Sequence, residues 1–200
     1  MKIFENIGSF TKLAWSVIRL NKYNGRINAL REKGDLEGER ALIADMEKEW
    51  IQGLERTYDM HFDVTGRENI PEGPCVFIAN HQAYCDIMAV LKALEGKQVG
   101  FIAKDEFIKT PILGAWILKI RGLFIKRGDA RESLKTIQEG VELLQQGFSL
   151  VIFPEGKRSC GEGLDEFKPG SFKLATKAKV PVVPITINGT FKMYEEREII

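Results

Sequence analysis

Histidine is scarce in this chain: 200 residues carry only His61 and His81. That count alone excludes a metal centre built on several imidazoles. Cysteine is nearly as rare. Cys75, Cys85 and Cys160 are odd in number and fit no zinc-ligand spacing, so a reduced, cytosol-facing chain is expected rather than a disulfide framework. Neither sign of charge dominates. There are 29 lysines and arginines against 28 aspartates and glutamates, a net charge of +1, so the chain lacks the global basic field of a nucleic-acid binder and any cationic site must be local. No apolar run reaches the ~18 residues that a membrane-spanning helix needs. The N-terminus shows no continuous apolar core followed by a small-residue cleavage site, so a signal peptide is not expected. What is present is ordinary for a globular protein, 44% hydrophobic and 28% charged residues. The length suits one domain with a normal core plus one appended element.

Residues 2–20 read as an amphipathic helix. Ile3, Ile7, Phe10, Ala14 and Val17 recur at steps of three and four, widened by Leu13 and Ile18. Lys2, Lys12 and Arg19 supply cations, and Trp15 is an amphipathic ring suited to a membrane interface. A polar link from Asn21 to Gly34 follows. Asp35 then caps a longer helix with Ile43, Met46, Trp50, Leu54 and Tyr58 on one face. Residues 1–60 are therefore expected to form an N-terminal two-helix hairpin, which cannot bury both apolar faces alone and must lie on the main domain, on a membrane, or on both.

Residues 61–200 have a different character. Short apolar runs at 75–79, 99–103, 123–125, 149–153 and 182–187 alternate with helical patterns, and Asp129 with Glu132 makes a capping box. Leu134, Ile137, Val141 and Leu144 mark the core face of the helix that this box opens. The fold class expected is α/β, with a largely parallel central sheet flanked by helices. Pro111 opens an apolar stretch over 112–118, too short to cross a bilayer and suited either to burial or to dipping into lipid.

Functional groups in such sheets gather at the carboxyl ends of strands. Asn80, His81 and Asp86 follow the first buried strand, Lys104 and Glu106 the second, Lys126 and Arg127 the third. Pro154, Glu155, Gly156, Lys157, Arg158 and Ser159 follow the fourth. His81 and Asp86 cannot share a helix face, because five residues turn through about 500°. They meet only if His81 lies in the strand-to-helix turn and Asp86 in the first helical turn, which is where the predicted boundary falls. Each group also has a plainer reading: His81 as a structural hydrogen-bonder, Lys126 and Arg127 as solvated loop charges. A nucleotide-binding reading of Gly156-Lys157-Arg158-Ser159 is poor, since Val151 stands where that motif needs glycine. A Cys85 thiol nucleophile is disfavoured, because His81 precedes the helix that would align the two.

Together these residues resemble a family. Asn80-His81 through Asp86 looks like the NHxxxxD motif of the glycerolipid acyltransferases, and Gly122–Arg127 like their second block. Phe153–Ser159 is similar to the third block, written FPEGTRS, with Lys157 in place of threonine, and Val180–Ile185 resembles the fourth. Phe167–Ser171 fits the segment between them. The blocks stand in the family's order, and the subgroup most alike is the bacterial 1-acyl-glycerol-3-phosphate acyltransferases, with their two-helix N-terminal anchor.

The resemblance implies that His81 takes the proton from the sn-2 hydroxyl of lysophosphatidate as it attacks an acyl thioester, giving phosphatidate. Asp86 holds the imidazole tautomer. Arg127 and Arg158, with Lys104 or Lys157, clamp the phosphate, while Glu155 and Gly156 complete the substrate-binding loop, Glu155 orienting the glycerol or a neighbouring cation. No cofactor and no metal are implied, only acyl-CoA or acyl-carrier protein as donor. The partners implied are those substrates and a membrane surface at the cytoplasmic face, with no nucleic acid. Trp15, Trp50 and Trp116 are candidate interfacial anchors. Another lysophospholipid or an acylated amino-lipid as acceptor, or a non-catalytic lipid-binding role, are the alternatives. The family usually continues beyond the fourth block, so a short or truncated member is expected.

Overall fold

The computed structural model describes residues 2–126 and 128–193, with side chains from Gly8 onward. Arg127, which closes the second block, lies outside the described residues, as do the side chains of Lys2, Ile3 and Ile7.

Five strands build one sheet: β1 Val76–Ala79, β2 Val99–Lys104, β3 Leu123–Ile125, β4 Ser149–Ile152 and β5 Val182–Ile185. They run in the order β3-β2-β4-β1-β5 and every pairing is parallel, with Val76 opposite both Leu150 and Val182, Val99 opposite Ser149, and Ile102 opposite Leu123. Alternation along β1 divides its side chains between the two faces. Phe77 and Ala79 join a cluster with α3 (Leu36–Tyr58), α4 (Asp86–Ala93) and α5 (Pro111–Lys119), while Val76 and Ile78 join Leu144 and Leu174 of α6 (Ala130–Gln145) and α7 (Lys173–Ala178). With helices on both faces and a strand on either side, β1 is wholly buried, which is why it is apolar throughout. Gly140 lets α6 approach closely: a Cβ there would stand 2.6 Å from Leu174 Cδ1. The core line of α6 runs through Thr136, Gly140 and Leu144; Leu134, expected on that face, is half exposed.

The N-terminal region forms the expected hairpin but not the expected link. Helix α1 (Lys2–Arg19) passes through a 3-10 turn at Leu20–Tyr23 into α2 (Asn24–Lys33), so residues 21–33 are helical rather than a polar connection. The polar composition misled because two anchors suffice: Leu20 and Ile27 are buried, and tertiary packing overrides weak helix propensity. The turn itself is short. Gly34 takes the left-handed C-cap conformation at φ 68°, and Asp35 accepts from the Gly38 N–H at 2.9 Å, as its capping role predicts. The arms are antiparallel, tied by Tyr58 Oη to Ser9 O (2.6 Å), Trp50 Nε1 to Ser16 Oγ (2.8 Å) and Arg31 Nε to Glu39 Oε1 (2.6 Å).

Glu39 joins the hairpin to the sheet. Its carboxylate is fully buried and also takes a bidentate pair from Arg121 at 2.8 and 2.7 Å, ahead of β3. Burial opposes its charge, but the bonds from Arg121 and Arg31 outweigh that and hold it below the usual carboxylate range. Eight residues further along, α3 carries a second buried acid. Among the described residues Glu47 accepts only from the Val99 N–H, at 3.2 Å, and its other oxygen has no partner, so burial pushes it well above the usual range against that single bond.

The tryptophans require a correction. Trp50 and Trp116 are buried, their rings 4.9 Å apart, and Trp116 packs on Phe101; neither is a surface anchor. Trp15 alone of the three is exposed, at 62%. No helix among the described residues is long and apolar enough to cross a membrane.

Candidate active site

Strand β1 ends at Ala79 and α4 begins at Asp86, so the strand-to-helix boundary falls between the histidine and the aspartate. His81 Nδ1 lies 2.6 Å from Asp86 Oδ2. Asp86 is fully buried, and the same oxygen accepts from the main-chain N–H groups of Gln82 (2.6 Å) and Ala83 (2.9 Å). Its other oxygen accepts from the Thr190 hydroxyl. With Nδ1 donating to the carboxylate, Nε2 carries the imidazole lone pair. One face of the ring stacks on Phe153, centroids 4.2 Å apart and planes 23° from parallel.

The strand order explains how the loop that carries His81 is held. β4 and β5 flank β1, so the segments leaving their carboxyl ends grip the loop from both sides. On the β4 side Glu155 Oε1 accepts from the His81 N–H (2.7 Å), the Ser159 N–H donates to His81 O (2.8 Å) and the Cys160 N–H to Gln82 O (3.0 Å). On the β5 side Asn80 exchanges two bonds with the main chain of Ile187, at 2.9 and 2.7 Å, and Gln82 Oε1 accepts from the Gly189 N–H at 2.9 Å.

The residues expected to bind substrate divide into groups. Arg158 is brought to the His81 loop, its guanidinium 3.6 Å from the Tyr84 ring centroid. Glu155 is buried, and its second oxygen accepts from the Asp165 N–H at 3.0 Å, so both oxygens face the protein's own main chain. Gly156 turns the loop at φ 73°. Lys157 is held by Asp165 at 2.6 Å, and that hydrogen bond raises its pKa; Lys104 is held by Glu106 at 2.6 Å. Among the described residues no group of three His, Cys, Asp or Glu side chains is placed to hold a metal ion.

Four residues of this constellation escaped the sequence reading as site residues: Tyr84, Gln82, Phe153 and Thr190. The first three lie inside motifs already noted. For Thr190 the only signal was its place just past a strand's carboxyl end, after the turn residues Asn188 and Gly189.

Fold and site together define a parallel α/β protein that presents an aspartate-oriented histidine at the strand ends, with an arginine beside it. A family model described as Acyltransferase matches residues 61–188, well over half of the chain, and the chain belongs to that family. It is 40% identical over 134 residues to the chloroplastic 1-acyl-sn-glycerol-3-phosphate acyltransferase BAT2 of Brassica napus, covering 66% of this chain and 38% of that protein. A probable 1-acyl-sn-glycerol-3-phosphate acyltransferase of Mycoplasma pneumoniae is 34% identical over 144 residues, covering 68% of this chain and 52% of that one. This chain thus spans well under two thirds of the length of either relative. Among solved structures, the 1-acyl-sn-glycerophosphate acyltransferase PlsC of Thermotoga maritima superposes with a TM-score of 0.64 at 26% identity, over 88% of this chain and 75% of that one. The family expected from the four sequence blocks is the family found.

Proposed function

We propose that this protein transfers a fatty acyl group from an acyl thioester to the sn-2 hydroxyl of 1-acyl-sn-glycerol 3-phosphate, giving phosphatidate. The observation that carries the reading is the 2.6 Å contact between His81 Nδ1 and Asp86 Oδ2, which leaves Nε2 as the acceptor nitrogen. The names of the relatives supply the substrate class.

In this reading the substrate hydroxyl gives its proton to His81 Nε2 while its oxygen forms the new bond to the thioester carbonyl carbon. The C–S bond then breaks, and the imidazolium returns the proton to the departing thiolate. Asp86 fixes the tautomer and stabilises the imidazolium between those steps. The attack is direct and needs no acyl-enzyme, and the donor is acyl-CoA or acyl-carrier protein. Arg158, stacked on Tyr84, is the cation best placed beside the base to receive the phosphate. Lys104 and Lys157 would exchange Glu106 and Asp165 for it, joined by Arg127, and Glu155 acts through the loop that it braces. Docking at the cytoplasmic face of a membrane is supported by exposed apolar side chains on adjoining elements, Phe10 and Trp15 of α1, Leu118 of α5 and Ile108 just before α5.

The test is acyl transfer to lysophosphatidate by purified protein and its His81→Ala variant, with acyl-CoA and acyl-carrier protein offered separately. Loss of about 10²–10⁴-fold in kcat is expected for the variant. A variant as fast as the parent removes the base, and equal rates on lysophosphatidate and a neutral-headgroup lysolipid remove the phosphate clamp.

A further inference from the structure

We infer that the turn after β5 belongs to the catalytic apparatus, and that Thr190 is the positioning residue that aims the Asp86 carboxylate at His81. The inference rests on the proposed role of His81 as base, but its physical argument concerns the aspartate.

The base loop, residues 80–85, has no regular structure of its own between β1 and α4. Three of its neighbours along one short segment pin it in place. Asn80 pairs with Ile187, Gln82 with Gly189, and Asp86 with Thr190, each contact closing more than 100 residues of chain. The family match ends at residue 188, so Gly189 and Thr190 lie just beyond it. Gly189 sits at φ 91°, a conformation that suits glycine and directs its N–H to Gln82.

Asp86 shows why the last of these contacts matters most. The torsion that rotates a carboxylate plane is broad and roughly two-fold, so one anchored oxygen does not fix the plane. Oδ2 takes three donors, the His81 ring and two main-chain amides, while Oδ1 takes the Thr190 hydroxyl. Asp86 is 0% exposed and Thr190 only 4%, so water has little room to replace that donor. The hydroxyl carries one proton, and its alternative acceptor, Gln82 Oε1 at 3.5 Å, already receives the Gly189 N–H. Threonine also has a restricted χ1, which makes it a stiffer donor than serine. Removing the hydroxyl therefore leaves a buried carboxylate oxygen without its donor and frees the plane to tilt away from Nδ1.

The experiment compares parent, Thr190→Val, Thr190→Ala and Thr190→Ser by steady-state kinetics with lysophosphatidate and the donor that the parent uses. Val and Ala are expected to lose about 10- to 100-fold in kcat, the size of effect seen when an outer partner that orients a metal-ligating side chain is removed. KM for both substrates should stay within about twofold, the pattern of a lost transition-state contribution. Serine should recover most of the loss. A second readout needs no turnover: in ¹⁵N-histidine-labelled protein carrying His61→Gln, the one remaining imidazole is His81. The parent should show a strongly deshielded, slowly exchanging Nδ1 proton, retained with serine and broadened or lost with valine and alanine. Parental kcat and a parental Nδ1 resonance in both hydroxyl-free variants would overturn the inference, as would serine failing alongside valine. If valine prevents folding, alanine decides by the same criteria. Should His81→Ala prove fully active, the base reading fails by itself, and the Nδ1 resonance still decides whether Thr190 sets the His81–Asp86 pair.

Discussion

The two ends of the sheet each bury two carboxylates, and their partners differ in kind. At the amino end Glu39 is met by two arginines, and Glu47 by one main-chain N–H with an oxygen left over. At the carboxyl end Asp86 is met by an imidazole, two amides and a hydroxyl, and Glu155 by two amides. Cations neutralise a carboxylate and make it structural. Neutral donors leave its charge to act on whatever else is near, and at the carboxyl end that neighbour is a histidine. The same residue type thus fastens the fold at one end and, in the proposed reaction, equips it for proton transfer at the other.

The largest effect should come from the carboxyl end. Asp86→Asn keeps an oxygen for the Gln82 and Ala83 N–H groups and the His81 ring but removes the negative charge that would stabilise the imidazolium, and kcat should fall by about 10²- to 10⁴-fold while the unfolding midpoint moves little. A kcat near the parent's would erase the distinction between the two ends. Next in size is Glu39→Gln at the amino end, which leaves Arg31 and Arg121 without a counter-charge. Chemical denaturation should register a loss of about 3 kcal/mol, with transfer activity retained below the melting transition. Because the folded pKa of Glu39 is lowered, its contribution is present above the unfolded value near ~4.3 and disappears as pH falls through the folded value. The variant should therefore lose less stability than the parent on acidification; parallel curves would count against the ion triad.

Glu47→Gln should have the smallest effect, and the opposite sign. The folded pKa of Glu47 is raised, so the parent's stability is greatest below ~4.3 and declines as pH climbs toward the folded value. Glutamine keeps the acceptor for Val99 and removes that slope. The variant is expected to be more stable than the parent at pH 8 by about 1 kcal/mol, and indistinguishable at acid pH, by thermal or urea unfolding. A variant less stable at pH 8 would mean that the ionised carboxylate has a favourable role.

Much of this architecture is legible in the sequence. The pattern of apolar runs and capping residues located all five strands and the caps at Asp35 and Asp129. The break of period between strand and helix put His81 and Asp86 on either side of a boundary, which is what lets them meet. What stayed hidden depends on distant contacts. Nothing local says that β4 and β5 flank β1, so the grip of residues 159–160 and 187–190 on the base loop could not be read. The helix over 24–33 is too polar to announce itself and is held by Ile27 and Arg31 from outside. A tryptophan reads alike whether it faces lipid or core, hence the misplacement of Trp50 and Trp116. A carboxylate at a strand end gives no sign of its direction, and Glu155 turns toward the protein.

The phenyl ring beneath His81 has a consequence for proton traffic. Phe153 covers one face of the imidazole and Asp86, sealed from solvent, closes off Nδ1. In the proposed reaction, a proton taken up at Nε2 therefore has no back door, since Nδ1 is already committed to a carboxylate that is sealed from solvent. It would wait on the open side of the histidine and depart through the atom by which it came, so that in the proposed reaction one nitrogen serves in turn as sink and source.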